Sequence, residues 1–302
     1  MKKIIPILAS AAILLTLTAC SGNNDKTPIG NNNSTQTNNS SQTSEPSSTV
    51  GNDSSTDTSE DSQVGGDVST PQDIKPEIKS NGEFKYFYDD ALNGIVIAGY
   101  EGDPTDIVIP DTIEDKPVVK IGDSAFKQDF VNNTGIKSIT IPDTVTVIGI
   151  QAFYNCAGIT SIDIPDSVTT IDNAAFCGCE SLTSIEIPDG ATTMGDLVFK
   201  SCTGLKSVKL PAGITVIGRE TFASCTNLES LDVPDGVTTI QTYAFQYCAS
   251  LTDLKLPDSV IELNGCNNIH TFEYCKKIKI TYKGKVFDYD HLDDLRIEIY
   301  GE

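Results

Sequence analysis

Leu182-Thr183-Ser184-Ile185-Glu186-Ile187-Pro188-Asp189-Gly190-Ala191-Thr192-Thr193-Met194-Gly195-Asp196-Leu197-Val198-Phe199-Lys200-Ser201-Cys202 is the stretch that decides the fold, because its landmarks recur along the chain. Prolines stand at 142, 165, 188, 211, 234 and 257, a constant step of 23. Phenylalanines at 153, 176, 199, 222 and 245 keep that step, as do cysteines at 156, 179, 202, 225 and 248. Three residue types sharing one period of this length signal a solenoid.

Each unit reads in three pieces. Ile185-x-Ile187 before Pro188 recurs as Ile139-x-Ile141, Ile162-x-Ile164, Val208-x-Leu210, Leu231-x-Val233 and Leu254-x-Leu256. This alternation predicts a short strand with one face inward, ended by proline, which cannot donate to a ladder. Val145 with Ile148, and their counterparts one period on, predict a second extended piece. The stretch ending at Ala152-Phe153 suits one helical turn that drops a phenylalanine into the core. One coil cannot bury these apolar points alone, whereas stacked coils bury them continuously.

The unit resembles the BspA-like leucine-rich repeats, Leu-x-x-Ile-x-Ile-Pro-x-x-Val-x-x-Ile-x-x-x-Ala-Phe-x-x-Cys. Leu182–Cys202 departs from that pattern at Ala191, Met194 and Val198. The resemblance runs from about Ile107 to Cys275. Its first unit is irregular, with insertions after Pro110 and Phe126, and with Asp129 at the cysteine position. Its last is stretched by four residues before Phe272 and Cys275. The resemblance implies an α/β solenoid: a right-handed superhelix of mostly short parallel strands with short helical turns. Seven coils at strand spacing make a rod ~35 Å long. Phe84–Gly102 and Lys279–Glu302 are expected to cap it, the latter with strands around Ile280 and Ile297.

Ahead of the repeats lie two other segments. Lys2 and Lys3 precede the apolar run Ile4–Leu17, which has the order and length of a signal peptide. It ends in Leu17-Thr18-Ala19-Cys20, which resembles a bacterial lipobox and implies diacylglycerol on the Cys20 thiol. The alternative is an ordinary cleaved signal with Cys20 just inside the mature chain. From Ser21 to about Ser80 the chain is Asn, Ser, Thr, Gly, Asp and Gln with almost no apolar residue. Too little apolar surface is available to offset ordering entropy, so a disordered spacer is expected. The expected organisation is residues 1–19 signal peptide, 20–80 lipidated tether, and 81–302 capped solenoid, on the outer side of a bacterial membrane.

The chain carries a net charge of -21. That excludes a nucleic-acid role, which needs clustered Lys and Arg. The repeated cysteines read as a ladder of small buried thiols. An export route also permits disulfides, and Cys177, Cys266 and Cys275 are the candidates to pair. Asp143, Asp166, Asp189, Asp235 and Asp258 follow the prolines, with Ala212 interrupting them. They read as turn carboxylates taking local N–H groups, or alternatively as a calcium-binding edge. No metal or other cofactor is expected. His270 and His291 lack any nucleophile, phosphate-loop or HExxH companion, so no enzyme activity is expected.

The outward strand residues Thr140, Asp163, Glu186, Lys209, Asp232 and Lys255 form the candidate binding face, beside a serine row at 138, 161, 184, 207 and 230. The alternative is a merely solvated face. The resemblance implies adhesion: a monomer that binds a protein ligand, extracellular matrix or another cell surface. Two other roles stay open, an envelope assembly component and a glycan-binding accessory protein. The latter would want an aromatic platform, which the sequence does not display. Cys20→Ala is expected to release the protein from the membrane fraction, and retention there would contradict the lipid anchor.

Overall fold

The computed structural model describes residues 76–102, 105–127, 135–263 and 269–301. Cys20, the leader, the tether up to residue 75, Asp129 and Cys266 lie outside the described residues.

The described chain is a solenoid with two parallel ladders and one ladder of turns. The first ladder holds the strands that precede the prolines. Asp106–Val108 pairs with Ser138–Thr140, Ser184–Glu186 with Ser207–Lys209, and Ser230–Asp232 with Asp253–Lys255 and so on to Lys279–Tyr282. Thr140 and Asp163 form a parallel bridge between the first pair and the next coil. The second ladder contains seven short strands: Lys116–Ile121, Val147–Ile148, Thr170–Ile171, Thr193–Met194, Val216–Ile217, Thr239–Ile240 and Glu262–Leu263. The register moves by whole repeats, as in Ile148↔Ile171 and Ile240↔Leu263. Inward residues of both ladders are buried in one continuous core.

The third side is not the expected helical turn. Ala152, Tyr154 and Cys156 each donate to the carbonyl three residues back, so the segment is a run of tight turns. Two residues per coil sit in the left-handed region. One set is Gln151, Ala174, Leu197, Glu220 and Tyr243 (φ 54° to 62°). The other is Asn155, Gly178, Ser201, Ser224 and Tyr247 (φ 58° to 76°). This alternation turns every second N–H toward the next coil. Gln151, Phe153 and Asn155 donate to the carbonyls of Asn173, Ala175 and Cys177 at 2.7–2.9 Å, and the arrangement repeats. Left-handed geometry costs a non-glycine residue ~1–2 kcal/mol, and satisfied inter-coil hydrogen bonds offset it.

The phenylalanines stack along the interior. Neighbouring rings from Phe126 to Phe272 lie 5.3–5.7 Å apart and within 13° of parallel. Tyr100 extends the column at 6.1 Å from Phe126, and Phe84 stands 5.2 Å beyond it. The cysteines form a second column. Each thiol donates to the carbonyl of the preceding coil's phenylalanine: Cys156 to Phe126, Cys179 to Phe153, Cys202 to Phe176, Cys225 to Phe199 and Cys248 to Phe222, at 3.1–3.3 Å. Cys275 joins with a 2.8 Å contact to Phe245, despite the stretched last unit. Cys177 and Cys275, two of the disulfide candidates, are both free and buried. The Cys275 thiol lies under the Phe245 carbonyl, and its other candidate partner, Cys266, is outside the described residues.

Both ends are closed by antiparallel pieces. At the start, the hairpin Phe84–Asp89 and Gly94–Tyr100 lays its second strand parallel to Lys116–Ile121. Lys79–Ser80 pairs along its outer edge, at the last residues of the stretch assigned to the tether. A two-residue strand leaves little edge on which another chain could pair. The insertion after Pro110 is a small hairpin, Thr112–Ile113 with Lys116–Pro117, turning through left-handed Glu114 and Asp115.

At the far end, Lys279–Tyr282 and Lys285–Asp288 form a hairpin through Lys283 and Gly284, both at positive φ. The strand expected around Ile297 is instead a helix, Leu292–Tyr300. Leu292 and Leu295 bury one side of it, and a 3.6-residue period fits that spacing better than the Ile297-x-Ile299 alternation does. The Tyr300 hydroxyl donates to the Leu263 carbonyl and accepts from its N–H, sealing the last coil's open backbone.

Phe199→Ala is expected to cost about 3–5 kcal/mol of unfolding free energy in a denaturant titration, since its cavity opens between two well-packed rings. A loss below about 1 kcal/mol would mean that the ring column contributes little.

Candidate binding face

Alternation in the first ladder turns Ile139 and Ile141 inward and Thr140 outward, and each coil repeats this. Thr140, Asp163, Glu186, Lys209, Asp232 and Lys255 are therefore all exposed, as expected. They form one row. Register places Thr140 beside Asp163, Glu186 beside Lys209 and Asp232 beside Lys255. Val108 and Thr281 extend the row at either end, beside Thr140 and Lys255. Sequence reasoning missed both, because Val108 lies in the irregular first unit and Thr281 in the cap. Lys209 pairs with Glu186 across the ladder, and that hydrogen bond holds the ammonium above its ordinary pKa. The serine row lies alongside, with Ser138 Oγ donating to Asp106 at 2.6 Å.

The post-proline aspartates border this row and are exposed. They do not close their own turns. The backbone does so, with Val145, Val168, Ala191, Val237 and Val260 donating to the prolines three residues earlier at 2.9–3.1 Å. Among the described residues only Asp189 of this set accepts a backbone N–H, and it belongs to Ala212 of the next coil, at 3.3 Å. The expectation of one local N–H per carboxylate is thus corrected. The turn carboxylates are left to solvent because proline and valine have already closed the loop.

Between the row and the aspartates lie cavities of about 180, 460 and 350 Å³, near Pro188, Ala212 and Pro257 respectively. Among the described residues no group of three His, Cys, Asp or Glu side chains is placed to hold a metal ion. The histidines stay apart from this face. His291 lies 2.6 Å from Asp288, which raises its pKa, and His270 packs 5.3 Å from the Tyr243 ring.

One grouping was invisible in the sequence. Tyr247 and Tyr274 stack at 4.4 Å and 4°, both nearly half exposed. They stand 27 residues apart, so the stretched last unit hides their equivalence. Gln246 donates to Glu273 beside them at 2.6 Å.

The arrangement is that of a leucine-rich-repeat solenoid, a class built for protein–protein interaction. The chain belongs to the BspA type leucine-rich repeat family, whose pattern matches residues 119–252 and 146–279 with six copies. It is similar to the leucine-rich repeat protein TpLRR of T. pallidum: 27% identity, 74% of this chain and 96% of that one covered, TM-score 0.62. It is also similar to a leucine rich cell surface protein of Faecalibacterium prausnitzii, at 31% identity and TM-score 0.61. That match covers 70% of this chain and 56% of the other. No curated protein matches the chain.

Burial pushes the Cys156 thiol up to about 12, and those of Cys179, Cys202 and Cys248 well above the ordinary value. These protons stay on in the folded state and leave the unfolded chain from about pH 8.5. The folded state binds more protons there, so stability is complete below that pH and falls as pH rises toward 12. Each buried thiol adds to that slope, approaching one proton's worth once the unfolded thiol is ionised. Denaturation midpoints should therefore drop steeply between pH 9 and 10, and less steeply in Cys202→Ala. Equal slopes in the two proteins would contradict a protonated thiol column.

Proposed function

We propose that the chain is a lipid-anchored surface protein that binds a protein partner through the outward row Thr140–Lys255. The row's register carries this reading: six exposed side chains held on a rigid ladder at strand spacing, with no covering element among the described residues. Rigid strands present side chains at little ordering cost on binding. Cys20 supplies the anchor in this reading, and residues 21–80 supply reach, ~40–45 Å for a flexible coil of that length. Family membership and the resemblance to a named cell surface protein support an outward location. Attachment to extracellular matrix or to another cell is the role that fits a tethered, externally displayed solenoid. An envelope assembly role uses the same face with a resident partner.

The stacked pair Tyr247–Tyr274 favours a second reading, in which the protein contacts glycan, because flat aromatic surfaces suit sugar rings.

The full chain, displayed on cells, should bind immobilised matrix proteins or neighbouring cells. Glu186→Lys with Asp232→Lys should reduce that binding at least tenfold. Ile150→Lys, exposed but outside the row, should leave it intact. Equal effects of the two variants would overturn the assignment of the face.

A further inference from the structure

The row of post-proline aspartates is broken once, at Ala212, and a cavity of about 460 Å³ lies at the break. Its floor is apolar, formed by Leu210 and Val233, which are largely buried. Its rim carries Asp189, Asp232 and Asp235. One cation also lines it, Lys209, but that ammonium is bonded to Glu186. Among the described residues no ion pair forms at any of the three rim carboxylates. Smaller cavities continue the groove on both sides, each again beside aspartates: Asp163 and Asp166 near Pro188, Asp235 and Asp258 near Pro257.

An occupant of this site needs an aliphatic portion for Leu210 and Val233 and a positive end for the rim. Arginine and lysine side chains have that build, a methylene stem ending in a cation. The arginine fork can also take two carboxylate oxygens at once. Successive cavities follow the solenoid axis, coil by coil. An extended segment lying along that axis carries alternate side chains ~6–7 Å apart against coils ~4.8 Å apart, so one seated side chain, and not a coil-by-coil match, sets its place.

We infer that the groove centred on Ala212 docks an extended, arginine- or lysine-bearing segment of a partner protein, with one cationic side chain seated in the Ala212 cavity. This rests on the outward row being the binding face and names the chemistry of its partner. It also gives a use to the departure from the repeat: Ala212 lines the cavity, and a bulkier aspartate there would narrow the space that the cation enters.

The test separates a shaped site from diffuse attraction by an acidic chain. The probe is a capped nonapeptide of alternating arginine and serine, titrated by fluorescence anisotropy into the full chain, with a glutamate–serine peptide as control. Asp189→Asn with Asp235→Asn should weaken binding at least tenfold. Ala212→Leu, which fills the cavity without changing charge, should weaken it about tenfold. Ala212→Asp should also weaken it, although it makes the protein more acidic. Asp143→Asn, distant from the cavity, should change binding less than twofold. Each variant is compared at matched circular dichroism and unfolding midpoint.

Tighter or unchanged binding by Ala212→Asp would overturn the proposal, since only long-range charge would then matter. Displacement of the peptide by stoichiometric calcium would overturn it in favour of a metal edge. Absence of peptide binding would overturn it too. In that case the surface-binding loss caused by Glu186→Lys with Asp232→Lys would still stand, and only the basic chemistry of the partner would fall.

Discussion

A coil of this solenoid can bury its apolar points only against another coil of equal pitch. The rest of the described structure depends on that constraint. The step of 23 residues puts Ile148 over Ile171, Phe153 over Phe176 and the Cys179 thiol beneath the Phe153 carbonyl. Phe153 shows how tightly the roles are joined. Its ring stacks in the column, its N–H reaches Ala175, and its carbonyl accepts both the Cys156 N–H and the Cys179 thiol. A thiol suits that place because it is small and apolar yet can donate weakly. Serine would bring a stronger need for partners into the same dry column. The cysteines are thus packing elements, and their high pKa values express burial rather than reactivity.

The same register makes the outer face. Because the inward residues of the first ladder are fixed by the core, the residues between them are fixed outward, one per coil. The core does not dictate their chemistry, which varies among Thr, Asp, Glu and Lys. A rigid frame with free outward positions is the physical basis for a recognition surface. At Ala212 the frame is intact but the bordering carboxylate is missing, and the widest of the three cavities along this border lies there.

Much of this was legible in the sequence where side-chain type carries the signal. The core positions, the outward row and the caps' approximate places follow from the period and from alternation. The left-handed pairs were not legible. Gln151, Ala174, Leu197, Glu220 and Tyr243 share a conformation but no chemistry, because inter-coil hydrogen bonding sets their φ and not their side chains. That is also why the third side reads as a helical turn in the sequence and is a ladder of turns in the structure. The helix at Leu292–Tyr300 was missed because Ile297 and Ile299 alternate like a strand, while Leu292 and Leu295 do the packing. Tyr247 and Tyr274 were missed because the last unit breaks the period. At Ala212 the sequence displays the interruption, but only the fold shows that a cavity lies beside it.

The register claim has one direct measurement. Deleting residues 185–207 removes one whole period and joins Ser184 to Val208, reproducing the strand motif. Deleting residues 185–206 removes one residue fewer and inverts the facing of the strand residues beyond the junction. Denaturant unfolding of the two proteins decides the matter. The 23-residue deletion should unfold cooperatively with a midpoint near that of the parent, and the 22-residue deletion should lose its cooperative transition or most of its stability. Equal stability of the two deletions would contradict the account.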